Sequence, residues 1–183
     1  MTTTKTTTTS QRFSIPSIVM HWLMVLVFVG IFIAVNLIDV FSKGSDSRQL
    51  AKTMHFSLGL LVFGLFWLRV AFRLLGNTPA IIPAPPVWQD KLAKLGHLAL
   101  YAIMVLMPLI GWAALSTFGK PITFFGMEFP ALMAQDKELG RTIMEVHELG
   151  GNLAYFLIGG HALAALYHHY FMKDNTLRRM SLR

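Results

Sequence analysis

Four long runs of apolar residues divide the chain, and polar stretches separate them. The runs cover residues 18–40, 54–75, 95–118 and 142–172. A helix needs about 20 predominantly apolar residues to cross the hydrocarbon core of a bilayer. The pattern therefore predicts an all-α integral membrane protein, a four-helix up-down bundle with room for a cofactor in its core. The last run exceeds this length, so we expect it to tilt or to extend beyond the membrane.

The segments outside these runs predict little further structure. Residues 1–12 form a threonine-rich tail of low complexity that we expect to be disordered, and residues 13–183 form one transmembrane domain. The loop 77–90 is rich in proline, which predicts an extended, non-helical connection. The connection 119–140 is the longest on the opposite side and could cap the bundle.

The distribution of charge predicts how the bundle is oriented. The chain contains 16 Lys and Arg and has a net charge of +7. With four spans, ten of these cations fall on the side of the two termini and six on the other. Cytoplasmic loops carry the excess of Lys and Arg, so both termini should be cytoplasmic. The positive charge is thereby explained by orientation and by anionic lipid headgroups, without a nucleic-acid partner.

Four histidines occupy two depths in this predicted bundle. His147 and His161 lie fourteen residues apart on the last run, which places them on one helix face about 21 Å apart. His21 starts the first run on the cytoplasmic side, and His55 starts the second run on the outer side. Depth alone pairs His21 with His161 and His55 with His147. Ionisable side chains within a membrane are costly and indicate function.

Two imidazoles at each depth suit haem better than zinc. A pair of opposed imidazoles gives six-coordinate iron, whereas structural zinc prefers four ligands. The chain has no cysteine, which excludes thiolate iron–sulfur clusters and covalent c-type haem. Haem propionates need cationic partners, for which Arg69 and Arg73 are candidates on the inner side. For any one histidine alone, an interfacial role is the more common outcome.

Several stretches resemble the bacterial cytochrome b561 family: SIVMHW, MHFSLG, KLGHLALYAIMVLMPLIGW, VHELGGNLAYFLIGGHALAALYHHYF and KDNTLRRM. Together they cover all four runs and the C-terminal tail. The resemblance implies a multi-pass protein of the bacterial inner membrane that holds two non-covalent haem b groups. It also implies the ligand pairs His21 with His161 and His55 with His147.

The resemblance implies two competing functions. The first is transfer of electrons from superoxide, outside, to ubiquinone in the membrane. The second is an electron-relay subunit that couples a periplasmic dehydrogenase or hydrogenase to the quinone pool. A third class, a non-redox transporter or sensor, would hold no haem, so a visible spectrum separates it from the other two.

Residues near each end are candidates for substrate contacts. Near the outer ligand His55, a cationic group could steer superoxide or could simply be solvated loop charge: Lys43, Arg48 and Lys52. Near the inner pair, His168 follows His161 by two turns and could contact a quinone or lie at the membrane interface. Second-rank candidates for the same pocket are His97 and Lys94.

Overall fold

The computed structural model describes residues 12–182 and consists of four long helices, a hairpin and a short 3-10 helix. The helices are α1 (Ile15–Val40), α2 (Asp46–Leu75), α3 (Val87–Thr117) and α4 (Lys137–Tyr170). Strands β1 (Ile122–Phe124) and β2 (Met127–Phe129) form an antiparallel hairpin between α3 and α4. All four helices are long and apolar enough to cross a membrane, which confirms the predicted helical bundle. Residues 1–11 of the predicted tail lie outside the described residues.

Three of the helices, α2, α3 and α4, begin well before their apolar runs, and side chains cap the starts of two of them. The Ser45 hydroxyl accepts a hydrogen bond from the Arg48 backbone N–H at the start of α2. The Asp136 carboxylate accepts from two backbone N–H groups at the start of α4. Such caps satisfy N–H groups that have no partner within the helix. His55 and His147 therefore lie well inside their helices, and the prediction that His55 lies at the start of its helix is wrong.

The loop between α2 and α3 is shorter than predicted. Helix α3 begins at Val87, directly after Pro86, so residues 87–90 are helical. The Pro86 carbonyl accepts hydrogen bonds from the backbone N–H groups of Gln89 and Asp90. The expectation of a non-helical segment as far as Asp90 is wrong, because proline is compatible with a helix start, where no N–H donor is required.

Three of the helices build the packed core. Helix α1 packs along α2, α3 packs along α4, and α2 contacts α3. The core cluster consists of Met20, Met24, Val27, Val62, Phe66, Leu100 and Met104. From helix α4, the partly buried Leu157 and Ile158 pack against this cluster, and its buried residues are Gly140 and Ala154. Helix α4 therefore contributes fewer buried side chains to the core than the other three helices do.

Both ends of the described chain meet at one end of the bundle. The Phe13 N–H donates to the Arg179 carbonyl over 3.1 Å, and the Trp22 indole donates to the Met180 carbonyl over 2.9 Å. Asn175 exchanges two hydrogen bonds with the backbone of Ile82 in the α2–α3 loop. The two terminal segments and this loop therefore share a side, as a bundle of four antiparallel spans requires.

Candidate haem sites

Two pairs of imidazoles face each other across the bundle. The ring centroids of His21 and His161 are 6.2 Å apart, and those of His55 and His147 are 6.1 Å apart. Helix α4 supplies one ring to each pair, and α1 and α2 supply the others. The structure thus brings together the same pairs of histidines that the sequence predicts from their depth in the bundle.

The spacing of both pairs suits a metal ion held between the rings. Metal–imidazole bonds are about 2.0 Å long, and a ligating nitrogen lies roughly 1 Å from its ring centroid, so opposed ligands have centroids about 6 Å apart. The observed 6.1 and 6.2 Å match this separation. The haem iron of a bis-histidine site fits each pair without a change in helix spacing.

The surroundings of the pairs leave room for a flat macrocycle. Four glycines near the histidines have no atom within 4 Å of where a Cβ would stand: Gly59, Gly151, Gly159 and Gly160. Larger side chains at these positions would occupy the space beside the rings. Gly150, next to Gly151, is by contrast tightly packed, since a Cβ there would meet the side chain of Met107.

Backbone contacts orient the two outer ligands. His55 lies beside the backbone of Ile31, and His147 beside that of Met107. The Nδ1 atoms of both rings are buried, and neither makes a hydrogen bond of good geometry within residues 12–182. Metal-binding histidines commonly present one nitrogen to the metal and the other to a carbonyl. If Nδ1 faces the backbone in this way, Nε2 of each ring would be the nitrogen that meets a metal ion.

A glycine in α3 allows His147 to approach. A Cβ on Gly111 would lie 2.9 Å from Cε1 and 3.3 Å from Nδ1 of the His147 ring. One turn away the roles are exchanged, since a Cβ on Gly150 of α4 would collide with the Met107 sulfur of α3. Helices α3 and α4 therefore interlock at the outer site.

The inner site contains more polar groups than the outer one. The His97 ring centroid is 5.4 Å from that of His161. Arg69 interacts electrostatically with both of these histidines and with His21, and Tyr101 is a further partner. The buried Nε of Arg69 has no hydrogen-bond partner within residues 12–182. Arg69 is therefore well placed to meet an anionic haem propionate, and Tyr101 is a neighbour that sequence reasoning missed.

Arg73, the second predicted propionate partner, is engaged elsewhere. Its guanidinium lies 4.8 Å from the centroid of the Phe13 ring, and it donates a hydrogen bond to the Thr78 hydroxyl. Arg179 stacks against the same Phe13 ring at 5.3 Å. Arg73 therefore lies at the rim of the inner site, where it holds the N-terminal segment.

His168 is held by a buried carboxylate. Its Nδ1 lies 2.5 Å from Oδ2 of Asp174, whose side chain is only 2% exposed. Burial tends to raise the pKa of Asp174, but hydrogen bonds from His168 and Thr176 outweigh it and lower the pKa below 3.8. Sequence reasoning missed Asp174, although it lies within the KDNTLRRM stretch that follows α4.

The remaining candidates lie near the surface. Lys94 forms an exposed ion pair with Asp90 over 2.7 Å, so its charge is directed away from the histidines. Arg48 donates to the carbonyls of Ile38 and Phe41 at the end of α1, and Asp39 is 4.0 Å away. Lys43 is exposed and Lys52 is half-buried, one turn before His55. Two of the three outer cations therefore remain available to an approaching anion.

The four-helix membrane fold and the facing imidazole pairs are those of a membrane-bound b-type cytochrome. The chain belongs to the prokaryotic cytochrome b561 family, whose family model matches residues 12–181. It is therefore a bacterial membrane protein of electron transfer that binds haem b.

The similarity to known proteins extends over nearly the whole chain. Cytochrome b561 homolog 1 of Escherichia coli (strain K12) is 38% identical over 169 residues, which cover 92% of this chain and 96% of that protein. A protein of Yersinia pestis named probable superoxide oxidase CybB is 37% identical over 93% of this chain and 96% of its own length. Cytochrome b561 homolog 2 of Escherichia coli is 29% identical over 95% of this chain and 93% of its own length.

Proposed function

We propose that this chain binds two haem b groups and passes electrons from superoxide, on the periplasmic side, to ubiquinone in the membrane. The observation that carries the proposal is the pair of facing imidazole sites, one near each end of α4. Both termini would lie in the cytoplasm, in keeping with the excess of cations on their side. The name of the Yersinia relative supports superoxide as the donor.

Each haem would be held by one histidine of α4 and one of a facing helix. His55 and His147 would ligate the outer haem, and His21 and His161 the inner one. Arg69 would neutralise a propionate beside the inner pair. When bound, the haem iron supplies a one-electron carrier that alternates between its ferric and ferrous states.

The electron balance of the reaction requires two donor molecules for each acceptor. Two superoxide anions lose one electron each and leave as dioxygen, while ubiquinone gains two electrons and two protons to form ubiquinol. Superoxide is an anion, so a local positive field would raise its rate of encounter. Lys43 and Lys52 would supply this field, with Arg48 partly neutralised by the carbonyls and carboxylate that it contacts.

The protons required at the inner end would pass through His168. Its Nδ1 faces Asp174, which fixes the orientation of the ring. The other ring nitrogen, Nε2, would pass a proton to a quinone oxygen. His97 lies closer to the inner pair and would contact the quinone headgroup or the haem edge. Lys94 has no part in this proposal because of its exposed ion pair.

Rapid mixing of the purified protein with superoxide tests the donor. Superoxide should reduce the haem, followed by visible absorbance, and superoxide dismutase should abolish this reduction. Added ubiquinone should then reoxidise the haem. His168→Ala should slow only the second step, and His169→Ala, one residue further on, serves as the matched control. If superoxide fails to reduce a protein with full haem content, the electron-relay function with a periplasmic dehydrogenase or hydrogenase replaces this proposal.

A further inference from the structure

The hairpin between α3 and α4 extends along α2 to the depth of the outer histidine pair. Ser57 of α2 is fully buried, and its hydroxyl accepts a hydrogen bond from the Phe125 N–H (3.1 Å) and donates to the Thr123 carbonyl (3.3 Å). Ser57 lies eleven residues after the start of α2 and two after His55. It is therefore about 16 Å along the helix from its start and about 3 Å from the level of His55.

This depth lies within the apolar part of the bundle. Lys52 is the last charged residue of α2 before its apolar run, and Ser57 is five residues deeper, about 7.5 Å along the axis. Backbone polar groups at such a depth must find partners within the protein. Ser57 provides two of these partners near the turn, and the strands pair with each other over the rest of the hairpin.

The turn of the hairpin contains Phe125, a large apolar residue that is unusual in a turn exposed to water. Phe125 and Gly126 have φ values of 45° and 89° and form a two-residue turn. Turns with two positive φ values strongly prefer Asn-Gly or Asp-Gly, and a bulky residue there is an outlier. Phe125 is 53% exposed and Met127 is 57% exposed. A strained position is thus occupied by a large apolar side chain that is about half exposed, although its ring contacts that of Phe124.

The two faces of the hairpin differ in polarity. Directly paired residues on antiparallel strands share a face, so Thr123 and Glu128 form a polar face. The opposite face is apolar, and its Ile122 is buried against the bundle. The hairpin is therefore polar on one side and apolar on the other and at its tip, which is typical of an element at a membrane interface.

We propose that the hairpin tip, Phe125 with Met127, is inserted into the lipid beside the outer histidine pair, where it contacts acyl chains below the headgroups. Apolar side chains such as those of Phe125 and Met127 are favoured in hydrocarbon over water, and the hydrogen bonds to Ser57 keep polar groups of the turn's backbone from lipid exposure. Glu128, on the polar face, remains in water. This placement depends on neither the electron donor nor the acceptor.

Spin labels on single cysteines test the proposal, because the chain has no native cysteine. Met127→Cys and Phe125→Cys would each carry a nitroxide in vesicles of phosphatidylethanolamine and phosphatidylglycerol. Both labels should collide more with dioxygen than with a water-soluble nickel chelate, and Glu128→Cys, the matched control, should show the reverse. Greater access of the nickel chelate at both tip positions would place the tip in water and overturn the proposal. So would protection of both from the two colliders, since it would place the tip inside the protein.

Ser57→Ala tests what holds the tip at this depth. In this variant the Met127 label should gain nickel access several-fold, because the turn loses two hydrogen-bond partners. The haem spectrum reports whether the bundle is still folded. An unchanged depth of the label in the folded variant would overturn the role of Ser57.

Discussion

The ring of His147 packs directly on the backbone of α3 at Gly111, where a Cβ would stand only 2.9 Å from Cε1 of the ring. This contact lets the imidazole of α4 lie beside the Met107 backbone with its ring centroid 6.1 Å from that of His55. The orientation of the proposed outer ligand is thus set by the absence of a side chain on a neighbouring helix.

Gly111→Ala should weaken the outer haem site and leave the inner one intact. Overpacking of this kind costs about 1–3 kcal/mol, and each 1.4 kcal/mol is roughly tenfold in affinity. Haem-to-protein ratios, together with the low-temperature electron paramagnetic resonance of each ferric haem, would measure the loss. Gly64→Ala is the matched control, since a Cβ there meets nothing within 4 Å. Full occupancy in Gly111→Ala would show that the ring can move aside.

Replacement of a proposed ligand should remove one haem and spare the other. His55→Ala or His147→Ala should abolish the outer haem, and His21→Ala or His161→Ala the inner one, because each pair lies about one ligand–iron–ligand distance apart. The haem content of purified variants decides this, with His169→Ala as the control. A variant that retains both haems excludes its residue from the ligand set.

The rate of haem reduction by superoxide should fall as the salt concentration rises. Screening shortens to about 8 Å at physiological ionic strength, so a field from exposed cations weakens. Lys43→Gln with Lys52→Gln should slow the reaction at low salt and flatten its salt dependence. Arg48→Gln is predicted to act mainly on stability, because this side chain caps the end of α1. A rate in the parent protein that is indifferent to salt would contradict steering.

Asp174→Asn should destabilise the C-terminal segment at neutral pH but not at acidic pH. The folded-state pKa of Asp174 is lowered below 3.8, so its contribution is fully present above 3.8 and is lost as the pH falls through the lower folded-state value. Hydrogen bonds to charged groups contribute about 1.5–3 kcal/mol. Thermal unfolding from neutral pH to below 3.8 should show the variant and parent converging. A constant difference across this range would argue against the ionised Asp174 carboxylate as the source of this stability.

The sequence by itself determined the four membrane-spanning helices and the depth of the histidines within them. Apolar runs long enough to cross a bilayer predicted the helical bundle, and a helix has a constant rise, so position along a run gave the depth of His21, His55, His147 and His161. This was sufficient to pair them, since antiparallel spans convert chain position into depth. The helix starts were missed because caps such as Ser45 lie in polar sequence that hydropathy ignores.

Only the tertiary structure decided which side chains approach one another across the bundle. Hydropathy carries no information on the rotation of one helix about another. The contacts of His97 with His161, of Gly111 with His147 and of Arg69 with the inner histidines all depend on that rotation. The same is true where the chain turns back on itself. Asp174 reaches His168 because the chain bends after α4, at Lys173, whose φ is +53°, and no helical or strand period describes such a bend.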